Sequence, residues 1–198
     1  MTNAYLTGEE RRRIESVKIG IAGCGGLGGN VAMHLVRMGF KRLVLCDFDV
    51  VGESNLNRQF FFRDQLGMKK TAALEENLRR IEPDLEIESD DRHLDVERVK
   101  ALYAGCDILV EALDKAEVKA QFYNAFLADS RPVVGASGIG GFGRSNDLKV
   151  RKLGGNLYLV GDGQSDVECG IHPQSARVGI AAAMEANVVA ALVLGLEV

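Results

Sequence analysis

The run Val17-Lys-Ile-Gly-Ile-Ala22 empties directly into Gly23-Cys-Gly25-Gly26-Leu-Gly28-Gly29, and a helical pattern follows from Asn30 to Gly39. A short apolar strand, a glycine turn and then a helix is the setting in which G-x-G-x-x-G binds phosphate. The glycines let backbone amides come close to the anion, and the helix N-terminus adds a favourable dipole. The next apolar strand, Arg42-Leu-Val-Leu-Cys-Asp47, ends in a carboxylate 19 residues beyond Gly28. A carboxylate there commonly accepts from ribose hydroxyls. No G-x-x-x-x-G-K-[ST] occurs, which excludes a P-loop. These features alone specify a nucleotide with a ribose, and a nicotinamide or flavin dinucleotide satisfies them as well as ATP.

The same rhythm continues downstream. Helices are predicted over Lys69–Ile81, Val96–Tyr103 and Glu117–Ala128, and strands over Leu85–Glu88, Cys106–Glu111 and Pro132–Ala136. Strands alternating with helices imply a Rossmann-like α/β fold, a mostly parallel sheet with helices on both faces. After Ala136 the pattern changes to glycines, two polar strands (about Phe142–Leu153 and Leu157–Val160), a loop and a long apolar helix, Ser175–Leu196. This reads as an antiparallel edge extension. Residues 1–198 are therefore expected to form one domain, with a nucleotide-binding core over about 17–136 and the edge hairpin, crossover loop and final helix over about 137–198. Gly138-Ile-Gly140-Gly-Phe-Gly143 repeats the glycine spacing, but a strand-like run follows it, so a turn at the sheet edge is expected.

The 198 residues carry a net charge of −4 and 46% hydrophobic residues, enough for a full core. Nothing in this balance invites nucleic acid or an anionic membrane, so an anionic ligand must be met by a local cluster of cations. Met1–Ser16 is polar and lacks a signal-peptide core, and no stretch of about 20 apolar residues is expected to span a bilayer, so the chain reads as cytoplasmic. Cys24, Cys46, Cys106 and Cys169 form no C-x-x-C pair, so no zinc is expected. The first three read as small core residues.

The segment after the second strand adds specificity. It runs Asp47-Phe-Asp49-Val-Val-Gly-Glu-Ser-Asn55-Leu-Asn57-Arg58-Gln59-Phe60, followed by Gly67-Met-Lys-Lys70 and, beyond the fourth strand, by Asp114. A dehydrogenase has no need of this run. With Gly23–Gly28 it resembles the ThiF/MoeB/HesA group of the ubiquitin-activating-enzyme-like (E1-like) superfamily, whose pattern is G-x-G-G-L-G, D-x-D-x-V-x-x-S-N-L-x-R-Q, G-x-x-K and a later aspartate. The resemblance runs from about Ile14 to Val198.

The resemblance implies ATP-dependent adenylylation of the C-terminal carboxylate of a small ubiquitin-like (β-grasp) sulfur-carrier protein by a homodimer, with ATP and Mg²⁺ as cofactors. The chemistry suits such a residue set. A C-terminal carboxylate, pKa about 3.5, is already ionised at neutral pH and needs no general base. The barrier is charge repulsion at phosphorus, which cations, metal and amide dipoles lower. Gly23, Gly25, Gly26 and Gly28 are expected to cradle the nucleotide and Asp47 to hold the ribose. Asn55, Arg58 and Gln59 would orient and neutralise phosphates, Lys70 would grip the phosphate chain, and Asp114 would coordinate Mg²⁺ or cap the following helix. Asp49 could orient the neighbouring loops.

The sequence also departs from the family pattern. The two zinc-binding C-x-x-C pairs of longer members are missing, so the chain resembles the short ThiF-like proteins of thiamine biosynthesis, with a ThiS-like partner. Lys69 stands where proline is usual and Lys115 where asparagine is usual. The arginine that many members lend across a dimer has no clean counterpart, although Arg11, Arg12 or Arg13 could serve. Cys169, in Asp166-Val-Glu-Cys-Gly-Ile-His-Pro173, is a candidate for sulfur transfer. The neighbouring Asp166 and Glu168 would oppose thiolate formation there, while His172 could compensate. His34 and His93 read as positions without a partner set. Two other readings stay open: an NAD(P)-dependent oxidoreductase, which leaves Asn55–Gln59, Lys70 and Asp114 unexplained, and a non-catalytic scaffold for a ubiquitin-like partner.

Overall fold

The computed structural model describes residues 4–93, 96–126, 128–165 and 170–198. Strands β1 (Lys18–Ala22), β2 (Arg42–Cys46), β3 (Glu86–Asp90), β4 (Ile108–Glu111), β5 (Val133–Ala136), β6 (Lys149–Leu153) and β7 (Leu157–Gly161) form one sheet in the order β3-β2-β1-β4-β5-β7-β6. Every neighbouring pair is parallel except β6–β7. The chain winds from β1 outward to β3, then returns to place β4 on the other side of β1. A reversal of this kind opens a crevice at the carboxyl ends of the strands.

The helices are α1 (Gly8–Ser16), α2 (Gly28–Met38), α3 (Lys70–Arg79), α4 (Val96–Leu102), α5 (Ala116–Phe126) and α6 (Ser175–Leu194). Alternation along the strands assigns them to faces. Ile19, Ile21, Leu43 and Leu45 pack in one core with Ile14 of α1, Leu35 of α2, Leu74 of α3 and Val189 of α6. Ala22, Val44 and Leu109 turn the other way, toward Val99 of α4 and Phe122 and Phe126 of α5. Cys24, Cys46 and Cys106 are buried in these cores. Burial pushes their thiols up, to about 12 for Cys46 and about 11 for Cys106, so they are chemically quiet.

Three expectations need correction. Helix α1 was not anticipated, although Thr7 and Glu10 form a capping box at its start: the Glu10 amide donates to Thr7 Oγ1 and the Thr7 amide to Glu10 Oε2. Second, β6 begins at Lys149 and not near Phe142. Gly143 (φ 61°) and Arg144 (φ 48°) are left-handed, and a strand cannot continue through them. Third, the twenty residues of α6 are long and apolar enough to cross a membrane by composition alone. Here α6 is a core helix carrying the buried Arg177 and Glu185, so its apolar character serves internal packing.

Candidate functional site

A cleft of roughly 750 Å³ lies over the carboxyl ends of β1, β2, β4 and β5. The glycine turn forms its floor, with a division of labour among the glycines. Gly23 has φ 99°, and a side chain there would come within 2.5 Å of the Ala112 carbonyl oxygen. Gly28 is buried against the Gly23 carbonyl and is not part of the cleft wall. Gly25 and Gly26 face the cleft: a Cβ on Gly25 would lie 3.5 Å from the Gln59 amide nitrogen, and one on Gly26 would lie 3.4 Å from the Arg58 stem. The outer glycines shape the turn and the inner ones leave room above it.

Asp47 ties this turn to the end of β2. Its Oδ2 accepts from the Cys24 amide at 2.8 Å, and its Oδ1 accepts from the Asp49 amide at 2.9 Å. A carboxylate has about four acceptor positions, so two remain for a ligand hydroxyl. Lys70, the first residue of α3, is 7% exposed and lines the cleft. Its ammonium donates to Asp49 Oδ2 at 2.6 Å and stands 4.0 Å from Asp47 Oδ2. Arg58 reaches the same wall. Its Nη1 donates to the Ser54 carbonyl (3.2 Å) and to Asn57 Oδ1 (2.8 Å), which leaves further guanidinium donors for a ligand.

Asn55 lies outside the cleft lining and builds the turn that presents Arg58. Its Oδ1 accepts from the Gly52 amide at 2.9 Å, and its carbonyl accepts from the amides of Arg58 and Gln59. Gln59 lines the cleft, and its Oε1 is buried without a hydrogen-bond partner among the described residues. Asp114 sits on the opposite wall, exposed and without a partner among the described residues. Helix α5 begins at Ala116, so Lys115, and not Asp114, directly precedes it. Cys169 lies outside the described residues.

Several contributors were not read from the sequence. Asn30 donates to the Gly26 carbonyl (2.6 Å) and the Arg58 carbonyl (3.1 Å), clasping the glycine turn to the arginine turn. His93 does have a partner: its ring stacks on Phe48 at 3.7 Å, and both line the cleft. Lys119 and Tyr123 of α5 form its inner wall. None of these belongs to a motif that the sequence displays: Asn30 reaches Gly26 within its own turn, but its contact with Arg58 and that of His93 with Phe48 join residues distant in sequence. The Gly138–Gly143 segment is a turn as expected, joined to the chain before α6 by a bridge from Gly140 to Pro173, and it borders the far end of the cleft.

The lining holds five cations (Arg58, Lys70, Arg92, Lys115, Lys119) against three carboxylates (Asp47, Asp49, Asp114), whereas the chain as a whole carries −4. Lys119 and Arg92 are paired with Glu111 and Asp90 outside the lining, so among the described residues the cations left for an anion are Arg58 and Lys115, with Lys70 held by the half-exposed Asp49. Among the described residues no three His, Cys, Asp or Glu side chains converge as a metal cage. Magnesium needs no cage: one or two carboxylates with phosphate oxygens suffice. Asp114, the carboxylate not already engaged, fits that requirement.

Comparison with known proteins accords with this geometry. Residues 2–194 match the ThiF family. Over 77 residues the chain is 47% identical to ubiquitin-like modifier-activating enzyme 5 of Oryza sativa subsp. japonica, covering 39% of this chain and 18% of that protein. It is 33% identical over 112 residues to molybdopterin-synthase adenylyltransferase of Haemophilus influenzae, covering 56% of this chain and 46% of that protein. The chain thus spans less than half the length of these relatives. The fold is shared with E. coli tRNA N6-threonylcarbamoyladenosine dehydratase, TcdA, in complex with AMP (TM-score 0.86, 18% identity, 95% of this chain and 90% of that one). It is shared also with E. coli MccB with ATP (TM-score 0.72, 20% identity, 93% of this chain and 58% of that one).

Proposed function

The chain belongs to the ThiF family, and from that premise we propose that it uses ATP to adenylylate the C-terminal carboxylate of a small ubiquitin-like sulfur-carrier protein. A ThiS-like carrier of thiamine biosynthesis is the first candidate. The observation that carries this reading is the convergence of Arg58, Lys70 and Asp114 on one cleft above Gly25 and Gly26.

In this reaction a carrier carboxylate oxygen attacks the α-phosphorus of ATP, the bond to pyrophosphate breaks, and the acyl adenylate remains. Both reactants are anions, so the site must suppress repulsion and stabilise charge that builds at phosphorus. Amides of the glycine turn bind the phosphates, Arg58 and Lys70 neutralise them, and Asp47 with its free acceptor positions takes the ribose. Lys70 arrives paired with Asp49, which aims the ammonium before the nucleotide binds. Magnesium, when bound, would be held by Asp114 and phosphate oxygens and would supply Lewis-acid stabilisation of the phosphate charge.

The test is ATP–pyrophosphate exchange in the presence of candidate carriers ending in Gly-Gly. The wild-type chain should exchange only with its cognate carrier. Arg58→Ala or Lys70→Ala should lower the rate by about 10²-fold or more, as loss of an electrostatic group at a developing charge does. Near-wild-type exchange in either variant would refute the assignment.

A further inference from the structure

Beneath the cleft wall lies a buried polar cluster that adenylylation as described leaves unused. Glu111, the last residue of β4, is fully buried. Its Oε1 accepts from the Leu113 amide at 2.8 Å and from Lys119 Nζ at 3.0 Å, and its Oε2 accepts from the Tyr123 hydroxyl at 2.6 Å. Lys119 also donates to the Leu113 carbonyl (3.2 Å) and the Ala136 carbonyl (3.3 Å), so each of its three donors has an acceptor. One ammonium thereby joins the end of β4, the turn after it and the end of β5. Asp114 is the next residue of that turn. Gly135 of β5 leaves the necessary room, since a side chain there would strike the Tyr123 hydroxyl and lie 3.3 Å from Glu111 Oε2.

We infer that Lys119 is a positioning residue: anchored on Glu111, it fixes the Leu113–Lys115 turn against the end of β5 and so holds Asp114 at the cleft. This rests on the adenylylation reading for the use made of Asp114, but the brace itself is a property of the fold. A buried ion pair is a poor way to gain stability, because apolar residues of similar volume do as well or better. What such a pair does supply is fixed geometry. The cluster carries a further cost in Glu185 of α6, fully buried near Glu111 and Lys119, with neither oxygen hydrogen-bonded among the described residues. Burial, and then the Glu111 charge, push the Glu185 carboxyl well up, and the ammonium bonds Glu111 and not Glu185.

Hydrogen exchange tests the brace without any ligand. Lys119→Met leaves Glu111 buried and unpaired and can unfold the chain, so the informative protein is the double variant Glu111→Gln/Lys119→Met, which removes both charges together. Its melting temperature should stay near wild type, while the Ala112–Ala116 amides should exchange about tenfold faster, the scale of one lost charge-assisted hydrogen bond. Its affinity for ATP with magnesium should fall about tenfold, with affinity for ATP in EDTA unchanged, and Lys119→Arg should recover most of both losses. Unchanged exchange across residues 112–116 would overturn the proposal, as would equal loss of ATP affinity with and without magnesium. A wild-type chain that bound no ATP would defeat the proposed function, and the exchange data would still decide the brace.

Discussion

Lys70 and Lys119 stand on opposite walls of one cleft, each near the start of a helix and each joined to a carboxylate, yet they are built for different work. The Lys70 side chain is 8% exposed and its partner Asp49 is 43% exposed. The Lys119 side chain is 23% exposed and its partner Glu111 is not exposed at all. A carboxylate in contact with water can give up its lysine and rehydrate, so Lys70 can turn to a phosphate at little expense. A buried carboxylate cannot, so Lys119 stays where it is. The exposure of the anion, more than that of the lysine, separates a cation that serves a ligand from one that serves the fold.

Replacing each lysine by methionine exposes the contrast. Lys119→Met should cost about 3–5 kcal/mol in urea unfolding, because it strands a buried charge. Lys70→Met should cost about 1 kcal/mol or less, with nearly all its effect in the roughly 10²-fold loss of exchange activity. Equal destabilisation by the two would abolish the distinction.

The next effect concerns Glu185, which faces Glu111 from β4 and Lys119 and Tyr123 from α5. Its folded pKa is raised, so its contribution is fully present below the unfolded value of about 4.3 and is lost as the pH rises. Glu185→Gln keeps the shape of the neutral acid and removes this penalty. Thermal unfolding at pH 8 should therefore show the variant about 2 °C or more above wild type, with the gap closing by pH 4. A gap that grew toward acid pH would reverse the sign and sink the assignment.

Asp90 makes the smallest contribution. Its hydrogen bonds from the Arg92 side chain hold its carboxyl at about 2. The sign is opposite: stability is present above the unfolded value of about 3.9 and is lost as the pH falls toward 2. The Arg92 side chain is 68% exposed, so solvent screening should keep the effect under about 1 kcal/mol. Asp90→Asn should flatten that part of the acid-unfolding curve.

The same contrast explains how far the sequence could be read. The Lys70 wall was legible because its residues come in short ordered runs: the glycines, Asp47 to Gln59, and Gly67 to Lys70. The alternating strands and helices of residues 17–136 and the antiparallel edge pair were legible for the same local reason. The Lys119 wall was not, since Glu111 looks like the end of an apolar strand and Lys119 like any helix-surface lysine until the fold brings Gly135 and Glu185 beside them. Asn55 was read as a phosphate ligand because it lies in the motif. Only its acceptance from the Gly52 amide reveals that it shapes the turn beneath Arg58. Helix α1 was missed although Thr7 and Glu10 have capping-box spacing, because its polar first turns gave no strong periodicity.

The central claim, that a triphosphate sits between Arg58 and Lys70, is tested most directly by thermal shift with ATP and magnesium beside NADH and NADPH. At about 100 times its Kd a ligand adds about 2.7 kcal/mol, which is at least about 5 °C for a chain of this size. The account predicts that rise with ATP and magnesium, its loss in the Arg58→Ala/Lys70→Ala double variant, and no shift with the nicotinamide nucleotides. A shift with NADH or NADPH and none with ATP, or an ATP shift that survives the double substitution, would contradict it.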